Sequence, residues 1–511
     1  MANFLEQKNR NVLPNFRTFD ETIGLGELDG AEKTPASVFP KEISRDLIDW
    51  EADKSVAVAA DLLSCAAVAG LTSMDQVRKA ARYILDSAEL ATASQTDLAK
   101  RILVGKVGNT TEPPLPRISD FLAKNTQEFL RKRIHSLKHG VRRFEFSPLV
   151  YVELARLYSI LGQEEHAKRN MLIAHHLAPN NRYVLRSFVR LFSHYDQFEF
   201  AYHMLNRSPL IAKDPWLLSA KLALATIMEK SPKDFKLGME LVRSNQFSPK
   251  SLTELQSALG TVELLNGSKR KSRDLFESSL IAPNDNSLAQ AEWALSKDRL
   301  FDLDIEEVGV KRNYEALARE AFNIKEWDNV VRHAESWFMD MPFAMRPIVF
   351  GCHVSSVILD DQDTAEMFCR AGLVSHPGDP LLKNNLAYAL ALNNKPDEAL
   401  LLIEGISIAD VEQPSTRVCL TATKGLVHFR KGNYPLGRKL YLEAVETAKS
   451  IEPSFVQLAI LNYAREEALC GSPDMEPLIN KIRKLKIDPK LDSLKILRDR
   501  VLDIYAKSRK G

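Results

Sequence analysis

From Pro148 onward, apolar stripes at helical spacing alternate with single turn residues. In SPLVYVELARLYSILGQEEHAKRNMLIAHHLAPNN, Tyr151, Leu154, Ala155 and Tyr158 recur at i, i+3, i+4 and i+7, the mark of one buried helix face. Gly162 permits a turn, Ala167, Met171 and Ala174 form the stripe of a second helix, and Pro179 closes it. The small residues Ala155 and Ala167 let the two antiparallel helices approach closely, while the larger ones fill the groove between neighbouring pairs.

The pattern returns 34 residues later, in the unit from Arg182, with Leu185, Phe188, Val189, Phe192, Ala201, Leu205 and Ser208. It returns from Trp216 with Leu222, Ala223 and Met239, its second helix degenerate. From Leu252 come Leu255, Ala258, Leu259, Val262, Leu275, Ser278 and Pro283. Residues 286–310 break the spacing, with a short helix in NSLAQAEWALSK and an acidic segment, FDLDIEEVGV. The repeat resumes at Lys311 with Tyr314, Leu317, Ala318, Trp327, Val330 and Pro342. A weaker unit from Arg346 keeps Ala365 and Pro377. The unit from Pro380 carries Leu386, Ala387, Leu390 and Ala399, and the run from Val418 carries Gly425, Gly432, Tyr434, Gly437, Tyr441 and Ala444. A degenerate pair covers 453–485, and a charged last helix near 489–507 suits a solvating end cap.

These units resemble the tetratricopeptide repeat over about 148–450. The resemblance implies an all-α fold, a right-handed superhelical solenoid of antiparallel helix pairs. It also implies a protein-interaction scaffold or adaptor with no catalysis of its own, whose partners are other proteins. Each unit of such a fold buries its apolar face on its neighbours rather than in one central core.

Ahead of the repeats, residues 1–40 lack periodicity and are rich in Gly, Pro, Asn and Glu, which predicts an irregular or disordered leader. A helical N-terminal region follows over 41–146. Stretches 54–71 and 73–90 read as a hairpin with Ser73 and Gln76 at capping-box spacing. A linker with prolines, VGNTTEPPLPR, precedes a helix over 117–139 that ends at Gly140. The remaining expected boundaries are a first array over 147–285, an irregular break over 286–310, a second array over 311–450, and a degenerate repeat with its cap over 451–511.

The resemblance also implies that the first helices of successive units line a concave groove. Carried onto this chain, the groove positions of the first three units are Arg156, Ser159, Tyr183, Arg186, Arg190, His194 and, one position aside, Lys221. That set is basic, with an aromatic ring, and suits an acidic peptide or a C-terminal carboxylate. The Lys/Asn clamp of the family's chaperone-binding members is absent, since Val152 and Arg156 stand at two of its positions. The second array offers Asn384, Asn385, Tyr388 and Leu392, a neutral surface apt for amide and apolar contacts. A solvated repeat face is the plainer reading of every residue named here.

Composition narrows the alternatives. Across 511 residues, 69 Lys and Arg face 67 Asp and Glu, so the net charge of +2 gives no global pull toward nucleic acid or membrane. Five scattered cysteines without a CxxC pair suit a reducing compartment, and no secretory signal is recognised at the start, so the expected location is cytoplasmic. The longest apolar run, Val56 to Leu71, is interrupted by Asp61 and too short to cross a bilayer, so no membrane insertion is expected. Neither a metal nor a cofactor is expected. His175 and His176 are adjacent and point to different helix faces. Gly24, Gly26 and Gly30 do not make a phosphate-binding motif. Cys352 and Cys369 fall on the two helices of one unit, either as a redox pair or as two small buried hydrophobes. A basic segment over 131–146, with Arg131, Lys132, Arg133, Arg142 and Arg143 among Ile134, Phe144 and Phe146, supports an alternative as a nucleic-acid-associated adaptor. A third possibility is an enzyme with an unrecognised site in the first 140 residues.

Overall fold

The computed structural model describes residues 10–18, 43–69, 71–72, 74–91, 93–104, 117–143, 147–407, 411–472 and 475–508. They divide into two compact units, one within Asn9–Leu115 and Asn125–Glu320, the other within Pro116–Lys124 and Ala321–Gly511.

In the first unit, α1 (Ser44–Ala52), α2 (Val56–Ala69), α3 (Asp75–Asp86) and α4 (Ala93–Val104) pack in sequence around Trp50, Leu62, Leu63, Val77, Ile84 and Ile102. The expected hairpin is thus half of a four-helix cluster. Its expected cap, Ser73, lies outside the described residues, and Met74 holds the cap position of α3. The helix expected over 117–139 is two helices, α5 (Ile118–Leu122) and α6 (Lys124–Arg143), because Ala123 between them is extended. In the second unit α5 is pinned by Phe121 against Phe338, edge to face at 5.2 Å, and by the Ile118 N–H donating to Glu335 Oε1 at 2.9 Å.

The repeats follow as antiparallel pairs. They begin with α7 (Pro148–Ile160) and α8 (Glu164–Leu177), α9 (Arg182–His194) and α10 (Phe198–Asn206), and α11 (Pro215–Ile227) and α12 (Phe235–Arg243). Next come α13 (Pro249–Leu265) and α14 (Lys269–Ser279), then α15 (Asp285–Lys297), the short α16 (Ile305–Val308) and α17 (Tyr314–Asn323). First helices α7, α9, α11, α13 and α15 pack on one another in series. The stripe residues Leu154, Ala155, Ala167, Leu185, Phe188, Ala201, Leu255 and Leu259 are all buried, as the spacing requires.

The second unit continues with α18 (Trp327–Asp340), α19 (Met345–His353) running into a π-helical turn (Val354–Leu359), and α20 (Gln362–Ser375). The pairs α21 (Pro380–Leu392) and α22 (Pro396–Glu404), α23 (Pro414–Arg430) and α24 (Tyr434–Ala448), and α25 (Pro453–Leu469) and α26 (Met475–Arg483) follow, closed by α27 (Asp492–Ser508). The cap helix α27 buries Leu494, Leu497, Val501 and Tyr505 against the α25–α26 pair. It also reaches the π turn, where the Arg500 guanidinium donates to the carbonyls of Val357 at 3.1 Å and Ile358 at 3.0 Å.

One backbone device sets the repeat length. The turn between the two helices of each pair holds a residue in the left-handed region: Gly162, Asp196, Glu229 and Gly267, then Lys325, Asp360, Asn394, Gly432 and Gly471. In most of them the next N–H reaches back five residues, as from Gln163 to Tyr158, Gln197 to Phe192 and Asn433 to His428, each at 2.9 Å. This is the Schellman closure, and several of its left-handed sites are filled without glycine. The unit from Arg346 departs. There the Asp361 N–H reaches Ser355, six residues back, because the π turn inserts one residue. One extra residue rotates the apolar stripe, which explains the weak pattern of that unit.

Two sequence expectations change. The break over 286–310 is narrower, since Asn284 caps a full helix, α15, through a reciprocal bond pair with Ser287, and Leu288, Ala291 and Trp293 are buried along it. Of the leader expected over 1–40 only residues 10–18 are described, and they are packed rather than disordered, with Arg10, Val12, Pro14 and Phe16 all buried.

Candidate functional site

A segment of the chain itself packs against the first helices of the first array. Residues 10–18 run without helix or strand, and the alternation of buried and half-buried positions from Arg10 to Phe16 is that of an extended segment. Buried polar backbone must find partners, and here they are side chains of the first helices. The Leu13 carbonyl accepts from Asn286 at 2.9 Å, the Arg10 carbonyl from Gln290 at 2.7 Å, and the Arg17 carbonyl from the Tyr183 hydroxyl at 3.0 Å.

Charge fixes the two ends of the segment. The Arg10 guanidinium donates to both Glu315 oxygens, at 3.0 and 2.9 Å, to Gln290 at 2.7 Å and to Asn286 at 3.0 Å. Arg17 and Asn15 both donate to Asp285, at 2.5 and 2.8 Å. The acids of α15 and α17 therefore hold the two arginines, while Val12 and Phe16 bury their apolar bulk.

The residues expected to form a basic groove are distributed differently. Tyr183 does contact a peptide, the chain's own. Arg186 is committed: it donates to Glu254 at 2.8 and 3.0 Å and lies 4.7 Å from the Trp216 ring centre. Glu254 also accepts from Asn284 and Asn286, so it joins α9 to α13 and α15. Burial pushes the Arg190 guanidinium down to about 10, with Glu315 opposing and Arg10 and Arg17 adding like charge. Arg156 is neutralised by Glu153 one turn away, at 2.8 Å. Lys221 pairs with Asp234 at 2.8 Å beside the Tyr202 ring, on the side of the second helices. His194 packs its ring on Tyr195.

The groove is thus charge-balanced rather than basic. Glu254, Asp285 and Glu315 lie beyond the three units that supply the expected groove positions, so their charges do not enter that basic set. Residues 10–18 do not stand out in the sequence because an alternation this short is a weak signal, although Val12, Pro14 and Phe16 do alternate with polar neighbours.

In the second array Asn384 and Asn385 are buried, and Tyr388 donates to Asn462 Oδ1 at 2.8 Å while accepting from Arg465 at 3.0 Å. The neutral surface expected there is covered by α25. Cys352 and Cys369 are buried with their sulfurs 3.2 Å apart, and the hydrogen bond between them, with burial, pushes the Cys369 thiol up. His175 lies against the Phe188 ring. Among the described residues no group of three or more His, Cys, Asp or Glu could hold a metal ion, and no helix is long and apolar enough to cross a membrane. Of the basic segment, Arg131, Lys132 and Arg133 are exposed on α6. The side chains of Arg142 and Arg143, and Phe144 and Phe146 entirely, lie outside the described residues.

No family model and no curated protein matches the chain. Solved structures do. A tetratricopeptide repeat protein from Parabacteroides merdae is 10% identical with a TM-score of 0.24, covering 61% of this chain and 97% of that one. Yeast Tom70 is 12% identical at 0.30, covering 77% and 95%. The APC/C hetero-tetramer Cut9–Hcn1 is 12% identical at 0.36, covering 90% and 92%. By its own geometry, antiparallel helix pairs closed by a left-handed turn at intervals near 34 residues, the chain has a fold of the tetratricopeptide kind.

Proposed function

We propose that the chain is a protein-interaction scaffold whose first array takes extended segments, and that residues 10–18 are its built-in occupant. One observation carries this reading: the inner helices satisfy the backbone carbonyls of Arg10, Leu13 and Arg17 with side-chain donors. Main-chain bonds give general affinity for an extended chain, and pockets for alternate side chains give selectivity. The favoured partner is a segment with arginines near both ends and apolar residues between, set on Asp285 and Glu315. This replaces the acidic peptide suggested by the cations alone, whose counter-charges come from α13, α15 and α17.

An array of nonapeptides varied around the 10–18 sequence tests it, probed with full-length protein carrying Arg10→Ala and Phe16→Ala to weaken the internal occupant. Binding should need Arg at the first position and apolar residues at the third and seventh. Absence of any positional preference would overturn the reading.

The exposed cations of α6 favour a second reading. Arg131, Lys132, Arg133, His135, Lys138 and His139 all face solvent, as a phosphate-binding helix requires. Filter binding to RNA and DNA over a salt series decides it. An affinity that falls with salt, and falls further on reversal of Arg131, Lys132 and Arg133, supports it; no salt-sensitive affinity removes it.

A further inference from the structure

We propose that the inner face of the second array carries a binding site for a small uncharged molecule with an amide-like head and a compact apolar body. The site is a cavity between the π turn, α21, α23, α25 and α27, with polar atoms from His353, Asn384 and Ser454 and an apolar wall that includes Val357, Phe455 and Leu494. About 50 Å³ of it is open to the centres of water-sized molecules, several times the roughly 10–15 Å³ that one water needs.

Its polar atoms point to a ligand. His353 Nδ1, Asn384 Oδ1 and Ser454 Oγ are buried without a hydrogen-bond partner among the described residues. His353 is 3% exposed and Asn384 1%. A buried polar group left unmet is destabilising, so three around one cavity mark a place where another molecule supplies the bonds. The backbone points the same way. Among the described residues the π turn that follows His353 and contains Val357 is the one irregular first helix of the array, and single π turns concentrate at functional sites.

The lining also selects charge. Among the described residues it includes no Asp, Glu, Lys or Arg. Burial pushes His353 down to about 3, so it stands neutral, and Arg465, which touches Tyr388, is matched by Glu466 at 2.8 Å. A charged ligand would surrender its hydration with no counter-charge in return. An amide can give an N–H to Asn384 and accept from the Ser454 hydroxyl, while a ring or short branched chain fills the apolar side.

Three probes of one shape separate the possibilities: benzamide, benzoate and benzamidine, titrated into the full chain while its unfolding midpoint is recorded. Benzamide should raise the midpoint saturably, and its anionic and cationic counterparts should not. Asn384→Leu and Ser454→Ala should each weaken benzamide about tenfold, the loss of one hydrogen bond of about 1.4 kcal/mol. Should Asn384→Leu fail to fold, Ser454→Ala, which deletes only an unpartnered hydroxyl, carries the test. No saturable benzamide response, equal responses to all three probes, or wild-type affinity in a folded Ser454→Ala protein would each overturn the proposal.

Discussion

Arg10 and Glu315 lie 305 residues apart in the chain and 2.9 Å apart in the fold, as an ion pair in which the arginine is 4% and the glutamate 12% exposed. Removing one partner of such a pair strands the other charge in a poorly solvated place, which costs more than the pair contributes. Arg10→Ala should therefore destabilise the first unit by about 3 kcal/mol. Hydrogen exchange at residues 10–18 should rise toward that of an unstructured chain. A shift below about 0.5 kcal/mol, with protection unchanged, would show that the segment is held by its apolar residues alone.

Arg186 makes a different prediction from the one its place in the repeat suggests. As an exposed groove cation its loss would barely change stability. Bonded to Glu254 on both oxygens, it should cost about 2–4 kcal/mol as Arg186→Ala, and Arg186→Lys should recover only part, because lysine cannot make the paired contact. Chemical denaturation of the three proteins decides it.

His353 predicts a pH dependence. Burial lowers its folded value to about 3 against 6.5 for the free side chain, so its contribution is fully present above about pH 6.5 and is lost as pH falls toward 3. Between pH 7 and pH 5 the unfolded chain gains a proton that the folded chain refuses, a loss of about 2 kcal/mol. His353→Gln should lack that loss. Equal slopes for both proteins over this range would contradict the neutral, buried state.

Gly437 tests the close approach of α23 and α24. A methyl group there would stand 2.5 Å from the Phe429 ring and 3.1 Å from the Gly425 carbonyl. Gly437→Ala should cost about 1–3 kcal/mol despite the better helix propensity of alanine, read as a lowered unfolding midpoint.

Much of the fold is legible in the sequence, because Leu154, Ala155, Ala167, Phe188 and their counterparts repeat at the spacing of a helix face. Legibility fails where register or partnership is set elsewhere. The π turn after His353 shifts a stripe by one residue, so the unit from Arg346 looks degenerate although it packs like the others. The groove failed for another reason. Arg156, Arg186 and Lys221 stand in a basic series along the chain, yet each is answered by an acid, Glu153, Glu254 or Asp234, and only the fold shows which. Residues 10–18 are too short to announce an element, and their alternation acquires meaning only against α9, α15 and α17.

On the proposed reading, the first groove is a receptor for an extended segment, and the chain's own residues fill it. Fluorescence anisotropy with a labelled peptide of residues 10–18 measures this directly, on the wild-type chain and on full-length protein carrying Arg10→Ala and Phe16→Ala. Saturable binding to the variant is expected, with at least tenfold weaker binding to wild type, whose groove is occupied. No binding to a variant whose helical circular dichroism is intact, or equal binding to both proteins, would contradict it.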